Sequence, residues 1–306
     1  MKIKEEVKGI LFAVSAAFMN GTIGVLSKWV SASDLPAASI AFFRCLIGFL
    51  LLLCLAARAR ASGAQGRASW QSVALCAFFG IAVLFFFETS AYRYALTANV
   101  VLTLMATATL SAFLLGWGML GDRPAPSSWA GLAICLLGLT LVLGATAPDV
   151  SAPDAVVSNA SARGHLQGIA LAAVAGVGYG AFTVLAKFLR LGGGLAVTRG
   201  LLMFGSLYLA LPFAADGAML PAPHLTLWAG LLALALLPSI GGFYCTTRAV
   251  SLASPAQVQL FELSEPLFAA VLAAVFLDEA PAAATYIGGG LVLAGLIVTQ
   301  VARGQR

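Results

Sequence analysis

Three glutamates stand in stretches otherwise free of charge. Glu88 follows Phe85-Phe86-Phe87 and precedes Thr89-Ser90-Ala91-Tyr92, with no other charge back to Arg67. Glu262 and Glu265 lie three residues apart, Glu265 followed directly by Pro266. A carboxyl group in such surroundings must face the protein interior or water, and it suits a proton carrier or a group that waits for a cationic ligand. Two readings stand for Glu88: this chemistry, or a helix-end residue paired with Arg93 or Tyr92. On one helix Glu262 and Glu265 project from neighbouring positions of a single face, and Gln259, a turn earlier, extends the polar stripe. Glu265 reads first as structural, its carboxyl bonding backbone groups that Pro266 frees. Arg44 and Arg199 also fall inside apolar stretches, where long cationic side chains snorkel to an interface or pair with a ligand carboxylate or a buried Glu. Asn20 and Tyr179 each sit beside glycine (Asn20-Gly21, Gly178-Tyr179-Gly180) and offer hydrogen bonds where glycine lets a neighbour approach. The binding candidates are Asn20, Glu88, Tyr92, Tyr179, Tyr244, Gln259 and Glu262, with Glu88 and Glu262 the candidates for proton coupling.

The elements that must position these groups follow from composition. Of 306 residues 61% are hydrophobic and 9% charged, against about 25% charged in a soluble domain, so the chain belongs in a lipid bilayer. Reading from charge to charge gives ten apolar stretches, at 9–29, 36–57, 70–92, 96–120, 125–146, 166–187, 195–215, 225–248, 254–277 and 282–301. Each suffices to cross a hydrocarbon core of about 30 Å as a helix. Continuous apolar runs rather than alternation exclude a β-barrel. The first stretch is expected to be retained as a span, since it is long for a signal peptide and lacks a convincing cleavage site.

With the N-terminus on one side, twelve of the seventeen Lys and Arg residues collect there, from Lys2, Lys4 and Lys8 to Arg303 and Arg306; Lys28, Arg93 and Arg163 fall on the other side. The excess of positive charge predicts both termini in the cytoplasm and a multi-pass protein of the inner membrane. Lys28 and Lys187 then read as interfacial anchors, and Trp117, Trp129 and Tyr286 as belt residues. The basic balance is thereby used by topology, and no nucleic-acid partner is expected. The five cysteines, Cys45, Cys54, Cys76, Cys135 and Cys245, lie in apolar stretches at irregular spacing and read as buried small hydrophobes.

Sliding the second half over the first at a nearly constant offset produces ordered coincidences. Lys8-Gly9 falls on Gln167-Gly168, Asn20 on Tyr179 and Lys28 on Lys187 at 159 residues; Gly131 and Gly138 fall on Gly288 and Gly295 at 157; Glu88 falls on Tyr244, and Asp122 on Asp278, at 156. The longest connection, 147–165, divides repeat 1–146 from repeat 166–306. Five spans per half is an odd number, so the second copy enters the bilayer upside down, the inverted-repeat plan of many secondary transporters.

Two segments carry a family resemblance. Ala95-Leu96-Thr97-Ala98 leads through the fourth span to Leu120-Gly121-Asp122, and Ser251-Leu252-Ala253-Ser254-Pro255 leads through Glu265-Pro266-Leu267-Phe268 to Leu277-Asp278-Glu279. The chain resembles the EamA-type members of the drug/metabolite transporter superfamily over nearly its whole length. The resemblance implies an all-α membrane protein of ten helices in two inverted five-helix repeats, and export of amino acids, other metabolites or drugs. The first copy departs from the pattern, with Thr109-Leu110 where the second has Glu-Pro.

An enzyme is not expected: both histidines, His165 and His224, fall in connections, and no HExxH, GxSxG or phosphate loop is present. No metal or cofactor is expected, and the partners are the bilayer and a small-molecule substrate. The function expected is a secondary transporter that exports small metabolites, amino acids first, by alternating access with proton coupling. An exporter of organic cations or drugs is the alternative, and an intramembrane enzyme or a non-transport subunit a more distant one.

Overall fold

The computed structural model describes residues 2–32, 34–58, 69–121, 129–131, 133–134, 137–138, 141, 155–253, 255–279 and 283–304. Among them the regular elements are helical. The first span is α1 (Lys2–Gly21) and α2 (Ile23–Ser31), the second α3 (Ala37–Arg58) and the third α4 (Trp70–Ala77) and α5 (Leu84–Ala91), joined by a π-helical stretch at Phe78–Val83. The fourth is α6 (Thr97–Leu120), the sixth α7 (Ala155–Phe188) and the seventh α8 (Leu195–Ala215). The eighth comprises α9 (Leu225–Leu234), a π-helical stretch at Ala235–Gly242 and α10 (Phe243–Leu252). The ninth is α11 (Pro255–Glu262) and α12 (Glu265–Leu277), and the tenth α13 (Ala283–Gly304). Among the described residues seven stretches are long and apolar enough to cross a membrane, and Glu265–Leu277 and Tyr286–Gly295 are shorter apolar helices. Of the fifth expected span only scattered positions between 129 and 141 are described; Asp122, Cys135 and the connection up to 154 lie outside the described residues. The helix α7 begins at Ala155, inside the stretch read as connection.

Two local departures have clear causes. Pro266 lacks an N–H and its ring would clash with the carbonyl four residues back, which belongs to Glu262; α11 ends at Glu262 and α12 restarts at Glu265. The expected single ninth span is therefore two helices, and Glu262 and Glu265 do not share a helix face. The matching fourth span has Thr109-Leu110 at that place and α6 runs unbroken. The two π-helical stretches occupy matching positions in the third and eighth spans, the second of them around Pro238. Each inserts the extra backbone that turns a side chain to a new direction.

Packing interchanges between halves as a repeat requires. The first span packs on the eighth and ninth, the sixth on the third and fourth, and the second on the seventh. Gly9 at the start of the first expected span lies against Leu252 and Ala253, while Gly168 at the start of the sixth lies against Tyr94 and Ala95. At the far end of the first span Lys28 reaches Glu279, whose other oxygen accepts the Thr97 N–H at 2.9 Å. At the far end of α7 the Lys187 ammonium donates to the carbonyls of Val250 and Ala253 at 3.1 and 3.0 Å. The start of each first span thus lies near the end of the other, so equivalent helices run antiparallel. This is an inverted pair of repeats. Gly138 of the fifth span lies against the tenth, where an added Cβ would come within 2.5 Å of the Gly288 carbonyl oxygen and 2.7 Å of the Val292 nitrogen. The two anchor lysines are thus bonded to neighbouring segments and are not free interfacial cations.

Candidate functional site

Where the first, third, fourth, sixth, eighth and ninth spans converge, they line a partly open cavity of about 20 Å³, room for roughly one water molecule. Its polar lining is Asn20, Glu88, Tyr179 and Glu265, and its apolar lining includes Phe85, Phe243 and Pro238. Every polar wall residue sits where regular helix is interrupted or closely approached. Asn20 precedes the bend between α1 and α2, and its Oδ1 faces Gly242 in the second π-helical stretch, where any Cβ would collide with it. Glu88 lies on α5 just after the first such stretch, and Glu265 opens α12 at the proline break.

Glu88 is 2% exposed and is held from two sides. The Arg44 Nη2 donates to Oε2 at 3.4 Å and the Tyr92 hydroxyl to Oε1 at 3.3 Å. Ion-paired hydrogen bonds usually span about 2.7–2.9 Å, so this pair is long. The guanidinium carbon lies over Phe85, 3.5 Å from the ring centroid, a cation–π contact. Its Nε and Nη1 have no hydrogen-bond partner among the described residues. Arg44 is fully buried, which corrects the snorkelling reading; only Arg199, half-buried at the start of α8, keeps an end-of-helix place. Arg93 does not pair with Glu88 and donates instead to the Leu35 carbonyl at 2.5 Å.

Behind Tyr179 lies a second carboxyl. Glu262 is fully buried; its Oε2 accepts the Tyr179 hydroxyl at 2.7 Å and its Oε1 the Thr246 hydroxyl at 2.8 Å. The two hydroxyl oxygens are 3.3 Å apart, closing a three-member network across α7, α10 and α11. The Glu265 carboxyl takes a side-chain hydrogen bond from Asn20, and its Oε2 has no further partner among the described residues. Structural as its proline is, Glu265 thus also belongs to the cavity wall.

Of the seven binding candidates the structure brings Asn20, Glu88 and Tyr179 to the cavity and sets Tyr92 and Glu262 directly behind it. It does not bring Tyr244 there: that ring is half-buried and meets Phe12 edge-on at 6.0 Å. The second π-helical stretch spans 8 residues against 6 in the first, so the residue opposite Glu88 by offset counting turns to another face. Gln259 is fully buried but does not line the cavity, and its amide has no partner among the described residues. Sequence reasoning missed Phe243 and Thr246, ordinary residues whose role depends on helix phase. Cys45, Cys76 and Cys245 are buried as expected, whereas Cys54 is exposed.

The model of the EamA-like transporter family matches residues 7–144 and again 166–301. An uncharacterized transporter of Archaeoglobus fulgidus is 24% identical over 275 residues, covering 88% of this chain and 90% of its own length. The uncharacterized transporter YwfM of Bacillus subtilis is 24% identical over 297 residues, covering 95% and 93%. A protein of known crystal structure superposes with a TM-score of 0.66 at 21% identity, over 96% of this chain and 98% of that one.

Proposed function

Because the chain belongs to the EamA-like transporter family, we propose that it is a secondary transporter of the inner membrane, both termini cytoplasmic, which exports small metabolites, amino acids first, by alternating access coupled to protons. Repeats 1–146 and 166–306 rock about the central cavity, which has room here for about one water. A metabolite enters when the halves part at one end and leaves when they part at the other.

The observation that carries the substrate class is the Arg44–Glu88 pair, in which Glu88 lines the cavity and Arg44 lies behind Phe85. A zwitterion carries an ammonium for Glu88 and Glu265 and a carboxylate for the unsatisfied guanidinium, and it replaces a 3.4 Å pair by two shorter ones. A second reading, an organic cation, is favoured by a wall that presents two carboxyls and the Phe85 and Phe243 rings while Arg44 stays behind Phe85.

Counterflow in proteoliposomes separates the two. Labelled amino acids are expected to exchange saturably, with Arg44→Gln and Glu88→Gln each raising the half-saturating concentration. Exchange of quaternary amines that survives Arg44→Gln would instead select the organic-cation reading. Absence of counterflow for both classes, with folded protein in the vesicles, removes the substrate assignment.

A further inference from the structure

The three buried carboxyls do not have equivalent surroundings. Glu88 faces a guanidinium; Glu265 faces an amide and the open cavity; Glu262 faces only hydroxyls. From the elements packed against it, the titratable groups near Glu262 are Tyr179 of α7, Cys245 of α10 and Glu265 of α12. Among the described residues α1, α6 and α13 present no cation to it. A buried carboxylate without a counter-charge is stable as the acid or beside a cationic ligand. Glu262 lies behind Tyr179 and is not in the cavity wall, so a ligand in the cavity meets Tyr179 and not the Glu262 carboxyl.

We propose that Glu262, held by Tyr179 and Thr246, is the proton-coupling site, that Tyr179 reports its state to the substrate cavity, and that Glu88 is a fixed binding carboxylate bound to Arg44. The proposal rests on the transporter reading and narrows its two coupling candidates to one. The chemistry balances as a single proton transfer. As a carboxylate Glu262 accepts two hydroxyl hydrogens, one at each oxygen. When it takes a proton from water on one side of the membrane, one oxygen becomes a donor, and one of the two hydroxyls must turn its own hydrogen elsewhere. Tyr179 is the member of this pair that lines the cavity, and in the proposal it is the Tyr179 hydrogen that leaves Glu262 for the substrate space. Loss of the proton to the other side draws the hydroxyl back. One buried acid thereby exchanges a hydrogen-bond donor in the cavity for a proton, without moving Glu88 or Arg44.

The test has two arms on the full-length protein in liposomes. Infrared difference spectra between alkaline and acidic pH, without any substrate, read carboxylic C=O bands directly. The wild type is expected to show a band that Glu262→Gln abolishes, Glu88→Gln leaves in place and Tyr179→Phe shifts. A band that survives Glu262→Gln and vanishes in Glu88→Gln or Glu265→Gln overturns the assignment. In the second arm, labelled amino acids are followed to steady state under an imposed pH gradient, with the membrane potential clamped. One proton per substrate gives an accumulation ratio of about tenfold per pH unit, and this ratio does not depend on how fast a variant exchanges. Glu262→Gln is expected to bring it to about one, while Tyr179→Phe lowers it. A ratio unchanged in Glu262→Gln, or a wild-type ratio indifferent to pH, overturns the proposal. Absence of counterflow in the wild type counts against the exporter reading alone, and the infrared arm still decides the proton site.

Discussion

At the scale of single residues the Arg44–Glu88 pair is the buried ion pair of the site. Both side chains are buried and joined by one long bond, with Tyr92 completing the set. Replacing one partner leaves an uncompensated charge, which costs about 3–5 kcal/mol, whereas replacing both by apolar groups of similar volume is close to neutral. Arg44→Met alone is therefore expected to lower the thermal midpoint in detergent strongly, and Arg44→Met combined with Glu88→Met to recover most of the loss. Equal midpoints for the single and double variants would show that the pair is not coupled. Tyr92→Phe removes a single hydroxyl donor, and its cost is expected to be about 1 kcal/mol. The sequence made the charged residues visible because intramembrane charge is rare, and Glu88, Asn20 and Tyr179 were legible for that reason or for their glycine neighbours. The pairing of Arg44 was not, because a cation seven residues into a span snorkels or pairs depending on which face the neighbouring helices cover. Thr246 was invisible: it differs from other span threonines only by standing opposite Glu262.

Among the elements, the proline break separates two carboxyls that a continuous helix would set side by side. Pro266 lacks the N–H that would bond to the Glu262 carbonyl, and an interior proline disfavours a helix by about 3 kcal/mol. Pro266→Ala is expected to join α11 and α12, slow amide exchange at residues 263–265 and turn Glu262 away from Tyr179, so that accumulation against the pH gradient is lost while the protein stays folded. Unchanged exchange at those amides would mean that another contact holds the break. The glycines divide in a checkable way. A Cβ at Gly138 meets backbone atoms of Gly288 and Val292, which cannot yield as a side chain does, whereas one at Gly118 meets nothing within 4 Å. Gly138→Ala is expected to destabilise by about 1–3 kcal/mol, and Gly118→Ala to be neutral or to stabilise by about 0.5–1 kcal/mol; thermal unfolding of the two variants side by side measures the contrast. The repeat of glycines was readable from spacing alone. The π-helical stretches were not, because hydropathy is indifferent to helix phase, and that is why Tyr244 was placed opposite Glu88 and lies elsewhere.

Over the whole molecule, inversion gives each lysine at the end of a first span a different partner set. Lys187 binds two carbonyls of its own repeat, so it can stay bound while the halves move as bodies. Lys28 binds Glu279 across the repeats, and Glu279 also accepts the Thr97 N–H, so the ends of α2, α6 and α12 are tied together at the end expected to face outward. The antiparallel order of the halves was legible from an odd span count, whereas this asymmetry depends on the acidic residue present at Glu279, with Arg123 at the matching place. If substrate leaves at that end, the contact must open in every cycle. A partly exposed ion pair is worth about 0–1 kcal/mol, weak enough to be broken by binding free energy at each turn. Lys28→Cys with Glu279→Cys, in a protein whose exposed Cys54 is changed to serine, is therefore expected to keep counterflow in the reduced form and to lose it when a cleavable bifunctional thiol reagent bridges the two positions. Cleaving the bridge should restore flux. Full exchange with the bridge shown intact by its mass would mean that the halves part elsewhere, and that the tie between Lys28 and Glu279 only braces the fold.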